Sequence, residues 1–477
     1  MKWKARILLV FLSPPLIACA QSPTSDLDND AIPTDLPLPL VGVNQRPVVG
    51  EKTVLLVAAR WPGDRELNMQ ALSEGTFSGQ PGSLSDYLLK ASMGKLTLKG
   101  TTIKVDLPAS TPPPNGFNGE IAAAQEAARA QGYEPNQYDY FWVVHDNGIG
   151  GAQGQMPGYK VVVREGPSRY GRNYIWAHEF GHNLGYSHEP AFGGSFWSYI
   201  NCKVVDNAVN APANCDTSRA GDYGNPVQRP HDITSLYPAN YRLYSGWLDA
   251  SQSSVISQSG LYRLGVLGGS GPQLYLIDRK TSSGPQQISI EYRKPTPPYD
   301  NFSASDNSVN GVWVRYTTMD RIVSNVQLDG TPETATTSDP TLMAEKTLKD
   351  EAAGVTIKVC TTADAGAMLA VAMNGETLPN CVAPLTPPTI QIPDAGAPSA
   401  QNPITFSGTS RPGALINVSY RIAGGNNWKD VKEVADATGK WQAKLPDLPP
   451  ANYNGQVWQT IGNNASLASF RNFGIAP

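Results

Sequence analysis

Histidine is scarce in this chain of 477 residues: there are only 5, so any cluster of them carries information. Charge is thin as well. Asp, Glu, Lys and Arg make up 16 % of the residues and the net charge is −4, which leaves no basic surface for a nucleic acid. Cysteine is sparse, with none between Cys19 and Cys202, and this excludes latency through a thiol held ahead of the histidine cluster. The glycine-rich stretch 148–154 has no Gly-Lys-Ser/Thr ending, so it is not a P-loop. Beyond the N-terminus no apolar run is long enough to span a bilayer, and there is no internal repeat.

Three of the five histidines fall within residues 178–188, in the run His-Glu-Phe-Gly-His-Asn-Leu-Gly-Tyr-Ser-His. On a helix, residues four apart lie on one face, so His178 and His182 can present ring nitrogens to a single metal ion. Gly185 tolerates positive φ and can end that helix, letting the chain double back to bring His188 as a third ligand. The expected ion is Zn2+. With three protein ligands, zinc keeps a fourth position for water and lowers the pKa of that water to about 7. Glu179, next to the first ligand, is the expected general base, later returning the proton to the leaving amine. The expected reaction is peptide-bond hydrolysis. A lone His-Glu-x-x-His is common by chance, but the glycine and the third histidine are both at the required positions.

This pattern resembles the metzincin zinc proteases. Within that clan, the stretch from His178 to Gly185 is most similar to the gametolysin-like peptidases, as is the segment 83–96 upstream. The resemblance implies an α+β fold, with a metzincin-type catalytic domain built from a mixed twisted sheet and an active-site helix. It also implies that the strand at 159–164 is the sheet edge along the cleft, where an extended substrate pairs through its main chain. One departure stands out. Metzincins carry a methionine in a turn below the metal, yet there is no methionine between Met156 and Met319, and Pro230 falls where it is expected. That methionine packs and does not ligate, so the departure touches the floor of the site and not its coordination. Of the remaining histidines, His231 reads as a packing or surface residue and His145 as a strand residue. Tyr223 and Tyr237 are candidates for stabilising the oxyanion.

The N-terminus carries Lys2, Lys4 and Arg6 before an apolar stretch broken at Pro14 and Pro15, which reads as a signal peptide over 1–19. Leu16-Ile17-Ala18-Cys19 resembles a lipobox, with Cys19 bearing the lipid. Ordinary cleavage after Ala18-Cys19-Ala20 is the alternative, giving a secreted protein. The lipoprotein reading is favoured because no other cysteine lies in the first two hundred residues. Ala20 then points away from inner-membrane retention, to the outer membrane or cell surface. Cys202, Cys215, Cys360 and Cys381 remain, an even number in an oxidising compartment. Four cysteines allow three pairings. The chain-local one, Cys202 with Cys215 and Cys360 with Cys381, keeps each bridge within one structural unit.

The organisation expected is a flexible tether over 20–48, a catalytic domain over 49–250, a β-sandwich domain over 251–382 and an immunoglobulin-like β-sandwich over 389–477. Within the catalytic unit, strands are expected at 54–58, 95–105, 138–145 and 159–164. Helices are expected at 83–91 and at 118–131, the latter with Asn118 as N-cap and Gly132 at the C-terminus, while 148–154 is too glycine-rich for any regular element. After Trp247 short alternating strands take over. The last unit resembles bacterial immunoglobulin-like modules through Thr405–Thr409, Pro412-Gly413-Ala414 and a hairpin around Gly439. Trp428 and Trp458 there are read as core packing more readily than as exposed sugar platforms. The partner expected is a protein or peptide substrate, with a membrane contact through the lipid on Cys19 and carbohydrate contact through the C-terminal modules as a further option. The alternative to an enzyme is a catalytically weak surface adhesin on the same scaffold. A zinc hydrolase acting on another amide or ester shares the motif.

Overall fold

The computed structural model describes residues 46–477, apart from 109–115, 149, 165–173, 188–198, 201–202, 206–207, 212–216, 220–234, 250, 282–283, 335–338, 382–384, 396–397, 400–401, 426 and 463. The fold is mixed α+β and mostly β, with sandwich-like sheets. The run Val-Leu-Leu-Val-Ala-Ala in the first strand, β1 (Gly50–Arg60), does not alternate in polarity because both faces are covered. Its side chains alternate between two cores. Val54, Leu56 and Ala58 enter one, and Leu55, Val57 and Ala59 the other. β1 pairs in parallel with β2 (Leu96–Asp106) on one side and β3 (Tyr140–Val144) on the other. β3 in turn pairs in parallel with β5 (Lys160–Val163), and β4 (Ala152–Gly154) closes the sheet antiparallel to β5, giving the order β2-β1-β3-β5-β4.

Two expectations are corrected here. The strand at 159–164 is not the sheet edge, and the glycine-rich stretch does contain a strand, β4, which is the edge. Glycine permits this. At Gly154 a Cβ would lie 2.4 Å from a backbone oxygen of the neighbouring helix, so only a bare backbone fits that close.

Helix α1 (Met69–Phe77) was not legible in the sequence, since only Leu72 and Thr76 of it are buried. It is capped by Asn68 and laid down by Phe77, whose ring covers Gly100 of β2. In α2 (Leu84–Ala91) the Ser83 hydroxyl accepts from the Asp86 N–H, and Asp86 pairs with Lys90 at 2.9 Å. α3 (Gly116–Ala130) covers one sheet face with Ile121, Ala124 and Ala128. It starts earlier than expected, so Asn118 sits in its first turn and not at the cap. Phe117 is drawn in by packing on the same core. At its end Tyr133 N–H reaches the Ala128 carbonyl and Gly132 N–H the Arg129 carbonyl, with Gly132 at φ +86°.

Beyond the sheet, antiparallel strands Leu274–Thr281, Gly284–Tyr292, Gly311–Met319 and Val323–Leu328 form one layer. A second layer has Gly260–Leu264, Gly366–Met373, Val355–Ala363 and Thr347–Asp350. Ile277, Ile288 and Ile290 share a core with Ile357, Leu369 and Val371. Cys360 is bonded to Cys381, the local pair expected, while Cys202 and Cys215 lie outside the described residues. The C-terminal strands close a third core around Phe406, Val418, Trp441 and Phe473. The turn at Gly439 (φ +80°) is not a hairpin: Lys440–Lys444 pairs with Thr405–Thr409, whereas the preceding Lys429–Val434 pairs with Leu415–Ile422. Trp458 is buried beneath the Arg263 guanidinium, 4.5 Å from ring centre to Cζ, and Arg421 lies over Trp428 in the same way. The described residues, from 46 to 477, belong to one compact unit.

Candidate functional site

The helix that carries the motif, α4 (Tyr174–Asn183), is buried along most of its length. Trp176 stacks on Trp142 of β3, with ring centres 5.5 Å apart, and Phe180 meets Tyr140 and Trp142 edge-on at 5.0 and 5.5 Å. That aromatic contact fixes the rotation of the helix about its axis. With the apolar face on the sheet, His178 and His182 share the adjoining face, their ring centres 4.9 Å apart and their planes nearly perpendicular. Both are buried, at about 8 % exposed.

Each histidine ring has two nitrogens, and only an unprotonated one can hold a metal. His182 Nδ1 lies 2.7 Å from the Tyr186 carbonyl oxygen. A carbonyl only accepts, so the proton sits on Nδ1 and Nε2 is left with its lone pair. That carbonyl is in position because the helix ends in a tight double turn. Tyr186 N–H donates to Gly181 O and Gly185 N–H to His182 O, with Gly185 at φ +95°. Glu179 is buried beside His178 and accepts from the Gly154 N–H of β4. Burial pushes its carboxyl up to about 8, against the lowering effects of that N–H and of the Arg164 charge. The edge strand therefore touches the helix at the motif: a Cβ on Gly154 would meet the Glu179 carbonyl oxygen and, at 3.0 Å, His182 Cβ.

Two of the three expected ligands are thus brought together with the expected base. The third, His188, lies outside the described residues, as do Tyr223, Pro230 and His231. Among the described residues no group of three His, Cys, Asp or Glu side chains is arranged around a metal site. The two described histidines nevertheless fit a zinc ion: both are imidazoles, the commonest zinc donor, and the tautomer of His182 is set by a carbonyl on its far nitrogen.

Tyr237 is not aimed at a substrate. It is fully buried, and its hydroxyl donates to the Ala177 carbonyl at 2.5 Å. Its ring sits edge-on against Tyr87 and Tyr186, at 5.1 and 5.0 Å. His145 follows β3 on the opposite sheet face. Its Nδ1 is 3.1 Å from Asp64 and its Nε2 3.1 Å from Glu120, which also takes two hydrogen bonds from Arg164 at 2.7 and 2.6 Å. Burial alone raises the Glu120 carboxyl, but the donors from His145 and Arg164 together with the Arg164 charge hold it down at about 2. Gly154, Tyr186 and Tyr237 were missed as supports of the site. Nothing in their local sequence marks them, because each acts through backbone or through a contact far along the chain.

Neither a protein-family model nor a curated protein sequence matches the chain. Among solved structures, the FN1–FN3 domains of chicken CNTN1 are similar at 13 % identity and a TM-score of 0.15, covering 35 % of this chain and 62 % of that one. A β-1,2-glucanase from Parabacteroides distasonis follows at 10 % identity and a TM-score of 0.14, covering 41 % of this chain and 31 % of its own. A structure described only as a protease aligns at 12 % identity and a TM-score of 0.16 over 89 % of this chain and 97 % of that one. The chain thus spans less than two thirds of the first two, and at TM-scores this low none of the three identifies a fold or an activity.

Proposed function

We propose that this chain is an exported zinc-dependent endopeptidase of the metzincin type, resembling the gametolysin-like peptidases, that hydrolyses peptide bonds of extracellular or cell-surface proteins. The observation that carries the reading is the pair His178 and His182 on one face of α4, with the His182 tautomer set by the Tyr186 carbonyl and Glu179 buried alongside. His178, His182 and His188 would hold the ion. A zinc ion, when bound, supplies Lewis acidity toward the scissile carbonyl and lowers the pKa of a water. Glu179 Oε would take a proton from the water as its oxygen bonds to the carbonyl carbon, and return it to the nitrogen of the leaving amine as the C–N bond breaks. Without a metal, burial holds this carboxyl up to about 8, and the positive charge of a bound ion beside it would favour the ionised form that a base requires. The Gly154 N–H keeps the carboxylate turned toward β4, and β4 is the antiparallel edge of the sheet, the position at which an extended peptide would add as a further strand. Export and a lipid on Cys19 belong to the same proposal. No helix among the described residues is long and apolar enough to cross a membrane.

The test is metal content by mass spectrometry on the purified chain, together with cleavage of a mixed peptide library by wild type and Glu179→Gln. One zinc in both, with cleavage reduced by a factor of about 10³ or more in the variant, is the expected result. Chelation should abolish cleavage and added zinc restore it. Turnover retained by Glu179→Gln would remove the base role. Zinc without cleavage in the wild type would move the weight to a surface-binding protein on this scaffold or to a different scissile bond.

A further inference from the structure

The segment Leu236–Ala239 passes directly beneath α4, and its polar groups are satisfied from elsewhere in the chain. Arg293 Nη1 donates to the Leu236 carbonyl at 2.8 Å and to Asp300 Oδ1 at 2.8 Å, while its Nε donates to Glu291 Oε1 at 2.6 Å. Asp300 Oδ2 accepts from Leu236 N–H at 3.4 Å, and Glu291 Oε2 accepts from Ala239 N–H at 2.5 Å. Arg315 adds a second guanidinium on Glu291 at 3.0 Å. Glu291, Arg293, Asp300 and Arg315 are each 2 % exposed or less. Buried charges of this kind are costly unless every one is paired, and removing one partner is expensive. Each charge here has an oppositely charged partner, although Arg293 Nη2 makes no hydrogen bond, so the network holds its attached backbone in place. The backbone it holds carries Tyr237, whose hydroxyl reaches the carbonyl of Ala177, the residue before His178. A second anchor is independent of the first. Ser187 N–H donates to Val323 O at 2.8 Å and Val323 N–H to Gly185 O at 2.9 Å, so the main chain one residue ahead of His188 is paired with the strand Val323–Leu328.

We propose that the β-layer that follows the catalytic unit is a built-in part of the metal site, with Glu291, Arg293 and Asp300 as positioning residues that act through Tyr237 on the His178 turn, and with Val323 holding the turn Gly185–Ser187 that ends the helix of His182. This rests on the zinc reading above and goes beyond it, because it assigns the layer a share in metal affinity and not a separate role.

The experiment uses the full chain. Zinc affinity is measured by competition with a chromogenic chelator and the cobalt(II) absorption spectrum is recorded, for wild type, Tyr237→Phe, Glu291→Gln, the double variant and Asp350→Asn. Asp350 is the control: it is equally buried in the same module, paired with Arg279 at 2.8 Å, but touches no residue of the floor. Tyr237→Phe removes one oxygen and keeps the ring, so it stays folded even where Glu291→Gln does not. The expected result is zinc affinity about tenfold lower in Tyr237→Phe and lower in the same direction in Glu291→Gln, with a shifted cobalt band. The double variant should be no weaker than the worse single one, because both act through one contact. Asp350→Asn should lower the melting midpoint and leave affinity as it was. Wild-type affinity in Tyr237→Phe, or an equal loss in Asp350→Asn, would overturn the proposal while leaving the protease reading intact. A wild type that takes up no zinc would overturn both.

Discussion

A carboxylate below a sheet can be as informative as a ligand above it. Glu120 is the shared acceptor of His145 and Arg164, held at about 2 where an ordinary glutamate lies at 4.5. A folded-state value below the unfolded one means that the charged form is favoured by folding. The contribution is therefore complete above pH 4.5 and is lost as the pH falls toward 2. Glu120→Gln keeps the shape of the side chain and removes the charge. It should cost roughly 2 kcal/mol at pH 7 in urea unfolding, and the deficit should shrink when the same measurement is made at pH 3. A deficit of equal size at both pH values would mean that shape, and not charge, holds Asp64, His145, Glu120 and Arg164 together. Because this cluster joins the ends of β3 and β5 to α3, its loss should also loosen the end of β5, which hydrogen-bonds across to Gly151 through Arg164 N–H.

At the level of elements, the contact between β4 and α4 rests on a single missing methyl group. Gly154→Ala would bring a Cβ to 2.4 Å from the Glu179 carbonyl oxygen, a backbone atom that a helix cannot move aside. Overpacking of this kind costs about 1–3 kcal/mol, and the strain falls on the base and on His182 together. The variant should lower the melting midpoint of the metal-free chain and slow peptide cleavage, both by more than a surface substitution such as Lys99→Ala does. An unchanged midpoint would mean that β4 can lift off the helix freely. The same contact explains what could and could not be read in advance. The helix and its glycine stop were legible because His178, Glu179, His182 and Gly185 express their geometry through local spacing, and local hydrogen bonds carry it out. The central strands were legible because burial on both faces leaves a continuous apolar run in β1 and β3. β4 was not, because its glycines carry no apolar period; pairing with β5 and close contact with α4 make it a strand. α1 was not, because it buries little and is held by Phe77 on Gly100. The burial of Trp458 was legible as core packing, but its partner Arg263, in another layer, was not. Long-range pairings leave no local period to detect.

For the whole molecule, the change of texture after Trp247 marks a change of secondary structure but no break in packing. Leu267, Leu274, Leu276, Tyr299 and Val323 belong to the same apolar cluster as Val54, Trp142 and Phe180. At about 1.5–3 kcal/mol for each large side chain buried, these five contribute on the order of 10 kcal/mol, comparable to the whole net stability of a domain, about 5–15 kcal/mol. Loss of Arg293, Glu291 and Asp300 would in addition strip partners from Leu236 and Ala239. A fragment ending at residue 250 should therefore show no cooperative thermal transition, although composition alone would have allowed a cut there. The C-terminal unit stands differently. It has its own core around Phe406, Trp441 and Phe473, and it meets the preceding layer mainly where Asn464 pairs with Leu261 and where Trp458 lies under Arg263. A chain ending at residue 382 keeps both anchors of the proposed metal site, so it should still melt cooperatively and keep whatever zinc affinity the full chain has, with a midpoint lower by a few degrees, a shift of about 1 kcal/mol on a chain of this size. The order of the two truncations decides the matter: if the fragment ending at 250 melts cooperatively and the one ending at 382 does not, the floor of the site is self-sufficient and the layers are joined the other way round.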